Sequence, residues 1–400
     1  MNTYHDALQA ILNCTPRLDK ERVDLSDAAG RTLCEDLVAS HPLPLFDQCT
    51  RDGYALASAR SHGARLDAPV TLKVAGEASA GAPFEGVVRE DRAVRVTTGS
   101  VLPLGLDAVV SGRRVEVEGG AIRLTEEVRP GEGVRRTGED VAEGDVAVEA
   151  GSVLQPFHLG LLAALGVTRP RVVRRPQVRI LATGNELVDP GDEPLEGQIR
   201  LSSSSALAAL VRGAGGIAKL CGIVPDKRKQ LRKRIKEHLA GDVLLTTGGV
   251  SSGPYDLVPQ ALADLGAEIL VHGVHIRPGS PVLVACHKGT VIFGLPGNPA
   301  STVVAFLALV RPALWKMLGR TESVPRRIVA TLEHEYSKQD DRRQFVFAHW
   351  TPSEGRCLVS VRKKQDAGYH STLASANCLM VIPEHVTRLL PGDPVEIEFL

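Results

Sequence analysis

The stretch Leu244-Leu-Thr-Thr-Gly-Gly-Val-Ser-Ser-Gly-Pro-Tyr-Asp256 places a glycine-rich turn directly after an apolar run typical of a buried parallel strand. A second such turn, Phe293-Gly-Leu-Pro-Gly-Asn-Pro299, follows further along the chain. Each turn leads into a helical pattern, so both are expected at the carboxyl ends of strands, where open α/β sheets bind ligands. The first turn offers an anion the backbone N–H groups of Gly248, Gly249 and Gly253, with hydroxyls from Thr246, Thr247, Ser251 and Ser252. It closes on the carboxylate of Asp256, so an anion and a divalent cation are predicted to meet there.

Patterns on either side of this stretch predict the fold class. Strand and helix patterns alternate from 177 to about 320, which is typical of a doubly wound α/β domain. Short β-type runs punctuated by Gly and Pro fill the region before it, and β patterns return after Pro325. A chain of 400 residues is too long for one ordinary core. We therefore predict an α/β multidomain protein, with a central doubly wound α/β domain flanked by β-rich domains.

The same patterns predict where the domains begin and end. An amphipathic helix is expected near the start of the chain, with Leu8, Ile11 and Leu12 on one face. The basic segment over 169–176, which contains proline, is expected to be a linker. The predicted domains are an N-terminal helix and linker-type domain over 1–42 and 144–176, a β-rich domain over 43–143, the α/β domain over 177–322, and a C-terminal β-barrel-like domain over 323–400.

Composition limits the classes of partner. With 47 basic and 47 acidic residues, the formal net charge is zero, so no global field attracts nucleic acid or a membrane surface. The apolar run over 303–310 is far shorter than the roughly 18 residues that a membrane span needs. The seven cysteines are scattered and contain no C-x-x-C pair, which argues against a disulfide framework or a structural zinc site. A soluble, cytoplasmic protein with reduced thiols is expected.

Several further motifs occur in an order and spacing that resemble one family. They are Phe46-Asp-Gln-Cys-Thr-Arg-Asp-Gly-Tyr-Ala55, Arg95-Val-Thr-Thr-Gly99, Gly138-Glu-Asp-Val-Ala-Glu-Gly-Asp145, Thr183-Gly-Asn-Glu-Leu187, Arg277-Pro-Gly-Ser-Pro281 and the two glycine-rich turns. With these motifs the chain resembles, over nearly its whole length, the MoeA family of molybdopterin molybdenumtransferases, which includes the E domain of gephyrin. The resemblance implies that the α/β domain is MoaB/Mog-like and binds molybdopterin.

The resemblance also implies a reaction in which adenylylated molybdopterin and molybdate give molybdenum cofactor and AMP, with Mg²⁺ as the divalent metal. Breaking a pyrophosphate bond builds negative charge on phosphoryl oxygens, which a metal and fixed donors must stabilise. Hard cations of this kind prefer carboxylates and water as ligands. The acidic positions that match the family motifs, and so the expected catalytic residues, are Asp52, Asp140, Glu186 and Asp256. Asp52, Glu186 and Asp256 are the expected metal ligands.

Binding residues are implied in the same way. A nest for the tetrahedral molybdate dianion is expected from the backbone of Gly279, Gly297 and Asn298, with Arg277 and Ser280 beside it. Thr98 and Gly99 are expected to contact the pterin. The full predicted set of substrate-binding residues is Thr98, Gly99, Gly248, Gly249, Ser251, Gly253, Arg277, Gly279, Ser280, Pro296, Gly297 and Asn298.

The expected assembly is a homodimer with each active site at the protomer interface, as in the family. The segment with Asp52 and Asp140 would face the α/β domain of the other protomer, which carries Glu186 and Asp256. Other proteins of molybdenum cofactor biosynthesis are further candidate partners beside the small-molecule substrates.

Some positions depart from the family pattern and keep other functions open. Leu201-Ser-Ser203 stands where the family commonly has Asp-Ser-Asn, and Arg277 and Ser280 stand where Lys is common. A non-catalytic scaffold that keeps the fold and the dimer is therefore one alternative. A generic nucleotide-binding α/β protein is another, although it leaves the β-rich flanks unexplained. Retention of four metal-competent acids favours the enzyme.

Overall fold

The first helix packs against residues that are distant from it in sequence. The structure, a computed structural model, describes residues 1–251, 256–353, 355–361 and 365–400. Helix α1 (Tyr4–Cys14) is capped at its N-terminus by Thr3, whose hydroxyl accepts a hydrogen bond from the Asp6 N–H at 3.1 Å. Its buried face, which includes Leu8 and Ile11, joins the hydrophobic core of the central α/β region. The predicted amphipathic helix is therefore present. Its apolar face belongs to the same hydrophobic core as Val178, which lies more than 160 positions away in sequence.

The N-terminal part is built from short strands. They are β1 (Lys20–Arg22), β2 (Leu37–Val38), β3 (Gln48–Cys49), β4 (Gly53–Leu56), β5 (Val70–Ala78), β6 (Arg92–Val96), β7 (Ala108–Ser111), β8 (Val115–Glu118), β9 (Ala121–Leu124), β10 (Val134–Arg135), β11 (Val146–Val148) and β12 (Arg171–Val173), with helix α2 (Pro156–Ala164) between the last two. Strands β4 to β9 form a sheet in the order β7-β4-β6-β5-β9-β8. Both faces of this sheet are covered: Val94 of β6 lies in one core and its neighbour Ala93 in another.

Three antiparallel pairs join the two ends of the N-terminal part. β1 pairs with β12, β2 with β11 and β3 with β10. The segment over 169–176, which is predicted as a linker, contains the short strand β12 over 171–173. Val172 of that strand is fully buried in a small core, and this burial stabilises the pairing.

The central part contains the predicted α/β pattern. Its strands are β13 (Gln177–Thr183), β14 (Leu187–Val188), β15 (Ile199–Arg200), β16 (Ile217–Val224), β17 (Val243–Thr247), β18 (Glu268–His272), β19 (Ile276–Arg277), β20 (Leu283–His287) and β21 (Thr290–Leu295). Its helices are α3 (Ser203–Gly213), α4 (Arg228–His238), α5 (Val258–Ala263), α6 (Pro299–Ala305) and α7 (Arg311–Met317). The main sheet has the order β16-β13-β17-β21-β20-β18, with α1, α3, α6 and α7 on one face and α4 and α5 on the other.

One strand of this sheet, β20, runs in the direction opposite to the other five. β16, β13, β17 and β21 are parallel, whereas β20 is antiparallel to both β21 and β18. Only Lys288 and Gly289 separate β20 from β21, with φ of 48° and 87°. Such a turn closes a hairpin, because a parallel connection needs a crossover of a dozen or more residues. The α/β class is confirmed, and the sheet is mixed.

The helix that follows β21 crosses the core. It runs from Pro299 to Met317 through α6, a π-helical turn over Phe306–Val310, and α7. Pro312 lacks the N–H that would bond the carbonyl of Ala308, and the π-helical turn ends just before it. By length and composition this helix could cross a membrane, but 83% of its apolar window is buried inside the protein. Such burial is typical of a core helix.

The C-terminal part forms a closed ring of strands. Its elements are β22 (Ile328–Leu332), β23 (Tyr336–Ser337), β24 (Arg343–Ser353), β25 (Arg356–Val361), α8 (His370–Ser375), β26 (Cys378–Ile382), β27 (Arg388–Leu389) and β28 (Pro394–Phe399). Pairing runs through β24-β25-β22-β28-β26 and returns to β24, so the sheet closes as a barrel. The buried ion pair of Arg311 on α7 with Glu398 on β28 holds the barrel to the α/β region.

Candidate functional site

A cavity of about 800 Å³ lies at the carboxyl edge of the central sheet, and we call it the edge cavity. β13, β17 and β21 are adjacent and parallel, and Thr247 at the end of β17 pairs with Leu295 at the end of β21. Their following loops therefore emerge side by side. The predicted site residues that line the edge cavity are Glu186, Gly248, Gly249, Ser251, Asp256, Pro296, Gly297 and Asn298. The predicted Gly253, like the auxiliary Ser252, lies outside the described residues.

Gly248 has a structural reason to be glycine. Its φ is +86°, and a Cβ there would lie 2.7 Å from the backbone oxygen of Thr183. Its N–H donates to the carbonyl of Leu295 at 3.0 Å. This bond contradicts the prediction that the Gly248 N–H binds an anion, because the donor is already used between the two loops. Gly248 instead lets the loop after β17 approach β13.

Two predicted acids meet a third that the sequence analysis missed. Glu186 and Asp256 line the edge cavity, and Asp226 lies near both. Burial first, and then the charges of Glu186 and Asp256, raise the pKa of Asp226 above its ordinary value. Asp226 and Asn185 exchange hydrogen bonds, each backbone N–H donating to the other's side chain, at 3.3 and 3.1 Å. These acids create negative potential at one side of the cavity.

A signal for Asp226 was present in the sequence. It follows the run that forms β16, just as Glu186 follows β13. Since these strands are adjacent and parallel, their carboxyl ends lie together. The residues after every parallel strand, and not only those in glycine-rich loops, are therefore candidates for the functional site.

Other residues that line the edge cavity were not among the predicted site residues. Thr183 lines it, and the buried hydroxyl of Thr183 has no hydrogen-bond partner among the residues that the structure describes. Ser202 and His370 also line it, with Oγ and Nε2 3.4 Å apart. His370 begins α8 in the C-terminal part, so a segment distant in sequence supplies one wall. A single histidine outside any motif gave no sequence signal.

Asp52, Thr98 and Gly99 lie together in the N-terminal sheet region. The carboxylate of Asp52 accepts hydrogen bonds from the backbone N–H and hydroxyl of Thr98. These bonds, the backbone one foremost, lower the pKa of Asp52, whose carboxylate is exposed. Gly99 has φ of +84°, and its N–H donates to the carbonyl of Cys49 at 2.8 Å. The Thr-Thr-Gly turn thus holds an ionised carboxylate at the surface.

Within one protomer, the four predicted acids do not converge. Asp52 and Asp140 are absent from the lining of the edge cavity. Asp140 is exposed and lines a different cavity of about 700 Å³, beside Glu139 and Arg135. Among the described residues, no group of three or more His, Cys, Asp or Glu side chains is arranged to hold a metal ion. Asp52, Glu186 and Asp256, the predicted metal ligands, therefore do not form one site in the part of the chain that the structure describes.

The predicted molybdate nest is divided by the structure. Gly297 and Asn298 line the edge cavity, whereas Arg277, Gly279 and Ser280 do not. Gly279 has φ of +102°, and a Cβ there would lie 3.1 Å from the backbone oxygen of Ser301. The Ser280 side chain is buried and donates to the carbonyl of Val274 at 2.9 Å. Gly279 and Ser280 therefore have local packing roles, while the adjacent Pro281 lines the edge cavity, and their predicted contact with molybdate stays a prediction.

Arg277 forms an ion pair across two parts of the fold. Its guanidinium donates to Asp340 at 2.7 Å. Burial alone would raise the pKa of Asp340, but hydrogen bonds from Arg342 and Arg277 hold it well below its usual range. Arg277 thus binds a carboxylate of the C-terminal part, which competes with the predicted contact to molybdate.

Comparison with known protein families covers almost the whole chain. Residues 2–166 match the MoeA N-terminal region (domain I and II), 179–316 match a probable molybdopterin binding domain, and 329–400 match the MoeA C-terminal region (domain IV). The three matches follow one another in the order of the three structural parts.

Similar proteins support the same assignment. The molybdopterin molybdenumtransferase of Staphylococcus aureus strain MRSA252 is 32% identical over 98% of this chain and 94% of its own length. That of Staphylococcus epidermidis is 29% identical over the same shares. The crystal structure of the molybdopterin biosynthesis moeA protein from Pyrococcus horikoshii OT3 has a TM-score of 0.88 and 31% identity, and covers 100% of both chains. The chain belongs to the MoeA family of molybdopterin molybdenumtransferases.

Proposed function

We propose that this protein is an enzyme of molybdenum cofactor biosynthesis that inserts molybdenum from molybdate into adenylylated molybdopterin, giving molybdenum cofactor and AMP. The observation that carries the proposal is the edge cavity, which brings together Glu186, Asp256 and the two glycine-rich loops at the carboxyl edge of the sheet. The names of the similar proteins support the same substrate class. A cavity of about 800 Å³ has room for a pterin with phosphates attached.

The donors around the edge cavity suit a hard divalent cation such as Mg²⁺. Glu186 and Asp256 offer carboxylate oxygens, and Thr183 offers a buried hydroxyl that has no partner within the described ranges of the chain. After burial, the charges of Glu186 and Asp256 contribute to the raised pKa of Asp226, and a bound cation would offset those charges. When bound, such a cation neutralises charge that develops on phosphoryl oxygens as the pyrophosphate bond breaks. Glu186 and Asp256 would hold it.

The protein's own groups orient the substrates. Gly297 and Asn298 follow β21 and face the same cavity as the acids, where backbone donors suit a tetrahedral oxyanion. Ser202 and His370 close the wall on the barrel side. Together these groups position phosphate and molybdate oxygens against the carboxylate side of the cavity.

We further propose a homodimer in which the N-terminal sheet region of the partner completes each site. Asp52, held by Thr98, and Asp140 both lie on exposed surface outside the edge cavity of their own chain. A twofold axis places such a surface of each protomer against the other. Helix α2 supports association, because it is almost wholly apolar while Phe157 is 73% exposed and only Leu162 is buried.

The seven cysteines are free thiols in the structure, which supports a cytoplasmic location.

The decisive test is AMP release. Purified protein is incubated with adenylylated molybdopterin, molybdate and Mg²⁺, and AMP and molybdenum cofactor are quantified by chromatography. We expect equal amounts of both products, dependent on all three additions. The matched control is Asp256→Asn, which keeps the side-chain shape and removes its charge. Tight binding of adenylylated molybdopterin with no AMP release would instead identify the non-catalytic scaffold. In that case Leu201, which is buried in the cavity wall where the family commonly has Asp, would be one reason for the lost activity.

A further inference from the structure

Helix α4 concentrates positive charge on its solvent side. Six of its 11 residues are Lys or Arg and one, Glu237, is acidic, although basic and acidic residues are equal in number over the whole chain. Its two buried residues, Leu231 and Ile235, pack in the core on the α4 and α5 side of the central sheet. The positive charge therefore lies on the outer surface of this helix.

Two of the six cations are paired within the protein. Arg228 donates to the carboxylate of Asp264 at 2.7 Å. Arg234 pairs with Glu237 at 3.0 Å and donates to the carbonyl of Cys221 on β16 at 2.6 Å. The other four are exposed and form no ion pair with any residue that the structure describes. They are Lys229, Arg232, Lys233 and Lys236, and we call them the basic face.

The basic face conflicts with the local physics of a helix. Its members stand at i, i+3, i+4 and i+7, so like charges are neighbours on one side of α4 and repel each other. The helix follows Lys227, which makes no side-chain cap bond, and its first turn contains no acid, although the helix dipole favours negative charge there. Interspersed charges of both signs would stabilise α4 better. This departure from local rules indicates that the positive charge has a function.

The strands beneath α4 extend the same surface. β16 lies at one end of the central sheet and pairs only with β13 among the described strands. Lys219 of β16 is exposed, and the neighbouring Leu220 is 53% exposed at this free sheet edge. After burial, the charges of Arg234 and Arg179 contribute to the lowered pKa of His238 at the end of α4. Positive charge thus continues from α4 to the sheet edge, where an apolar side chain adds to it.

We propose that the basic face of α4, together with the edge of β16, is a docking surface for a partner protein that presents an acidic helix or loop. The argument is charge complementarity, since the cations lack counter-charges in the described parts of their own chain. From Lys229 to Lys236 the face covers about 10 Å of helix axis, which matches two turns of an acidic helix. Exposed Leu220 supplies the apolar contact that protein interfaces combine with polar ones.

Other polyanions fit this surface less well. The segment over 217–243 contains no Phe, Tyr or Trp on which bases of a single strand could stack. The apolar side chains of α4, Leu231 and Ile235, are buried in the core, so the helix has none to insert into a lipid surface. Asp226, which lies close to the acids of the edge cavity, stands two residues before α4. A partner docked on α4 would therefore stand close to that cavity.

Peptide binding to the full-length protein tests the proposal. The probe is a fluorescein-labelled, alanine-based helical peptide with four glutamates at i, i+3, i+4 and i+7, and its matched control has glutamines there. We expect fluorescence anisotropy to show saturable binding of the glutamate peptide, which weakens as salt is added, and no binding of the glutamine peptide. Lys233→Glu should weaken binding by about tenfold or more.

Two controls separate docking from folding. Lys233→Glu places opposite charges at i−4 and i+3 on α4, so its melting temperature should be no lower than that of the wild type. Lys73→Glu reverses an exposed lysine of β5 that has no ion pair within the described ranges, and it should leave peptide affinity unchanged. Equal affinity of the glutamate peptide for the wild type and Lys233→Glu would overturn the proposal. So would tighter binding of a DNA duplex or of phosphatidylserine vesicles than of the peptide.

Photo-cross-linking in the cells that produce the protein provides a second arm. Lys229 is replaced by p-benzoylphenylalanine, and the cross-linked peptide is sequenced by mass spectrometry. We expect a segment of another protein that is rich in Asp and Glu, with a yield that falls when Lys233→Glu is added. Cross-links to a second copy of this chain alone, or to segments without acids, would contradict the proposal. Neither arm measures AMP release, so both stand apart from the proposed function.

Discussion

The carboxylate of Asp52 accepts two hydrogen bonds from Thr98, one from its backbone N–H at 2.7 Å and one from its hydroxyl at 2.9 Å. The two residues stand 46 positions apart, each in a different family motif. Because the bonds stabilise the charged form, Asp52 is an ionised carboxylate of fixed orientation on exposed surface. This arrangement suits a group that acts outside its own domain.

Asp52→Asn should lower AMP release by about a hundredfold or more, as loss of a group that stabilises transition-state charge does. Thr98→Val keeps the backbone donor and loses only the hydroxyl bond, so a milder loss of about three- to tenfold is expected. Thr98→Ser, which restores a hydroxyl, is the control. Equal rates for wild type, Asp52→Asn and Thr98→Val would show that this pair has no part in catalysis.

Mg²⁺ should stabilise the wild-type protein and should stabilise Asp256→Asn much less. The acids around the edge cavity repel one another, and a bound cation relieves that repulsion in the folded state only. Differential scanning fluorimetry over a Mg²⁺ titration measures the effect, with Asp264→Asn at the opposite end of α5 as control. The same melting shift in wild type and Asp256→Asn would remove Asp256 from the metal site.

Asp226→Asn should raise the melting temperature at pH 7 while lowering AMP release. The pKa of Asp226 is raised in the folded state, so its charged form costs stability, and the cost appears as pH rises through the unfolded pKa near 3.8. Below that pH both states are protonated and the gain should vanish. Asp264 is the opposite case, because the Arg228 hydrogen bond lowers its pKa, and Asp264→Asn should not stabilise. A lower melting temperature for Asp226→Asn at pH 7 would contradict the assignment.

Co-expression tests where the active site lies. Asp52→Ala and Asp256→Ala should each be inactive alone if the two acids serve one site from different protomers. Random assembly makes half of the dimers mixed, and each mixed dimer has one intact site of two, so activity should return to roughly a quarter of wild type. Mixed dimers isolated through two different affinity tags should have roughly half of wild-type activity, because each holds one intact site of two. No recovery in confirmed mixed dimers would place both acids in the site of one protomer.

Glu398→Gln should destabilise the protein strongly. It leaves the guanidinium of Arg311 charged and nearly buried between α7 and the barrel, and loss of one partner of a buried pair costs about 3–5 kcal/mol. Thermal melting measures the loss. The exposed pair of Arg326 with Glu322 is the control, and Glu322→Gln should leave the melting temperature nearly unchanged. Similar melting of both variants would mean that the buried pair does not hold the barrel in place.

Local patterns in the sequence were enough to predict the parallel strands and the loops that follow them. An apolar run followed by a glycine-rich turn has few alternatives to a strand with a loop at its carboxyl end. The turn after β17 predicted Asp256 as a site residue, and the family resemblance implied Glu186, Gly297 and Asn298. All four line one cavity. Lys288 and Gly289 form a two-residue turn between β20 and β21. Such a turn is a local signal for an antiparallel pair at this edge of the sheet.

The tertiary structure alone decided which of the remaining polar groups are available to a ligand. Gly248 and Ser280 donate hydrogen bonds to carbonyls that lie near them only in the folded chain, and Arg277 finds Asp340 from another part of the fold. His370 enters the edge cavity because the barrel packs against the α/β region. The physical reason is the same for Gly248, Ser280 and Arg277: a buried or paired polar group must satisfy its hydrogen bonds, and the fold decides which residue comes within about 3 Å of it.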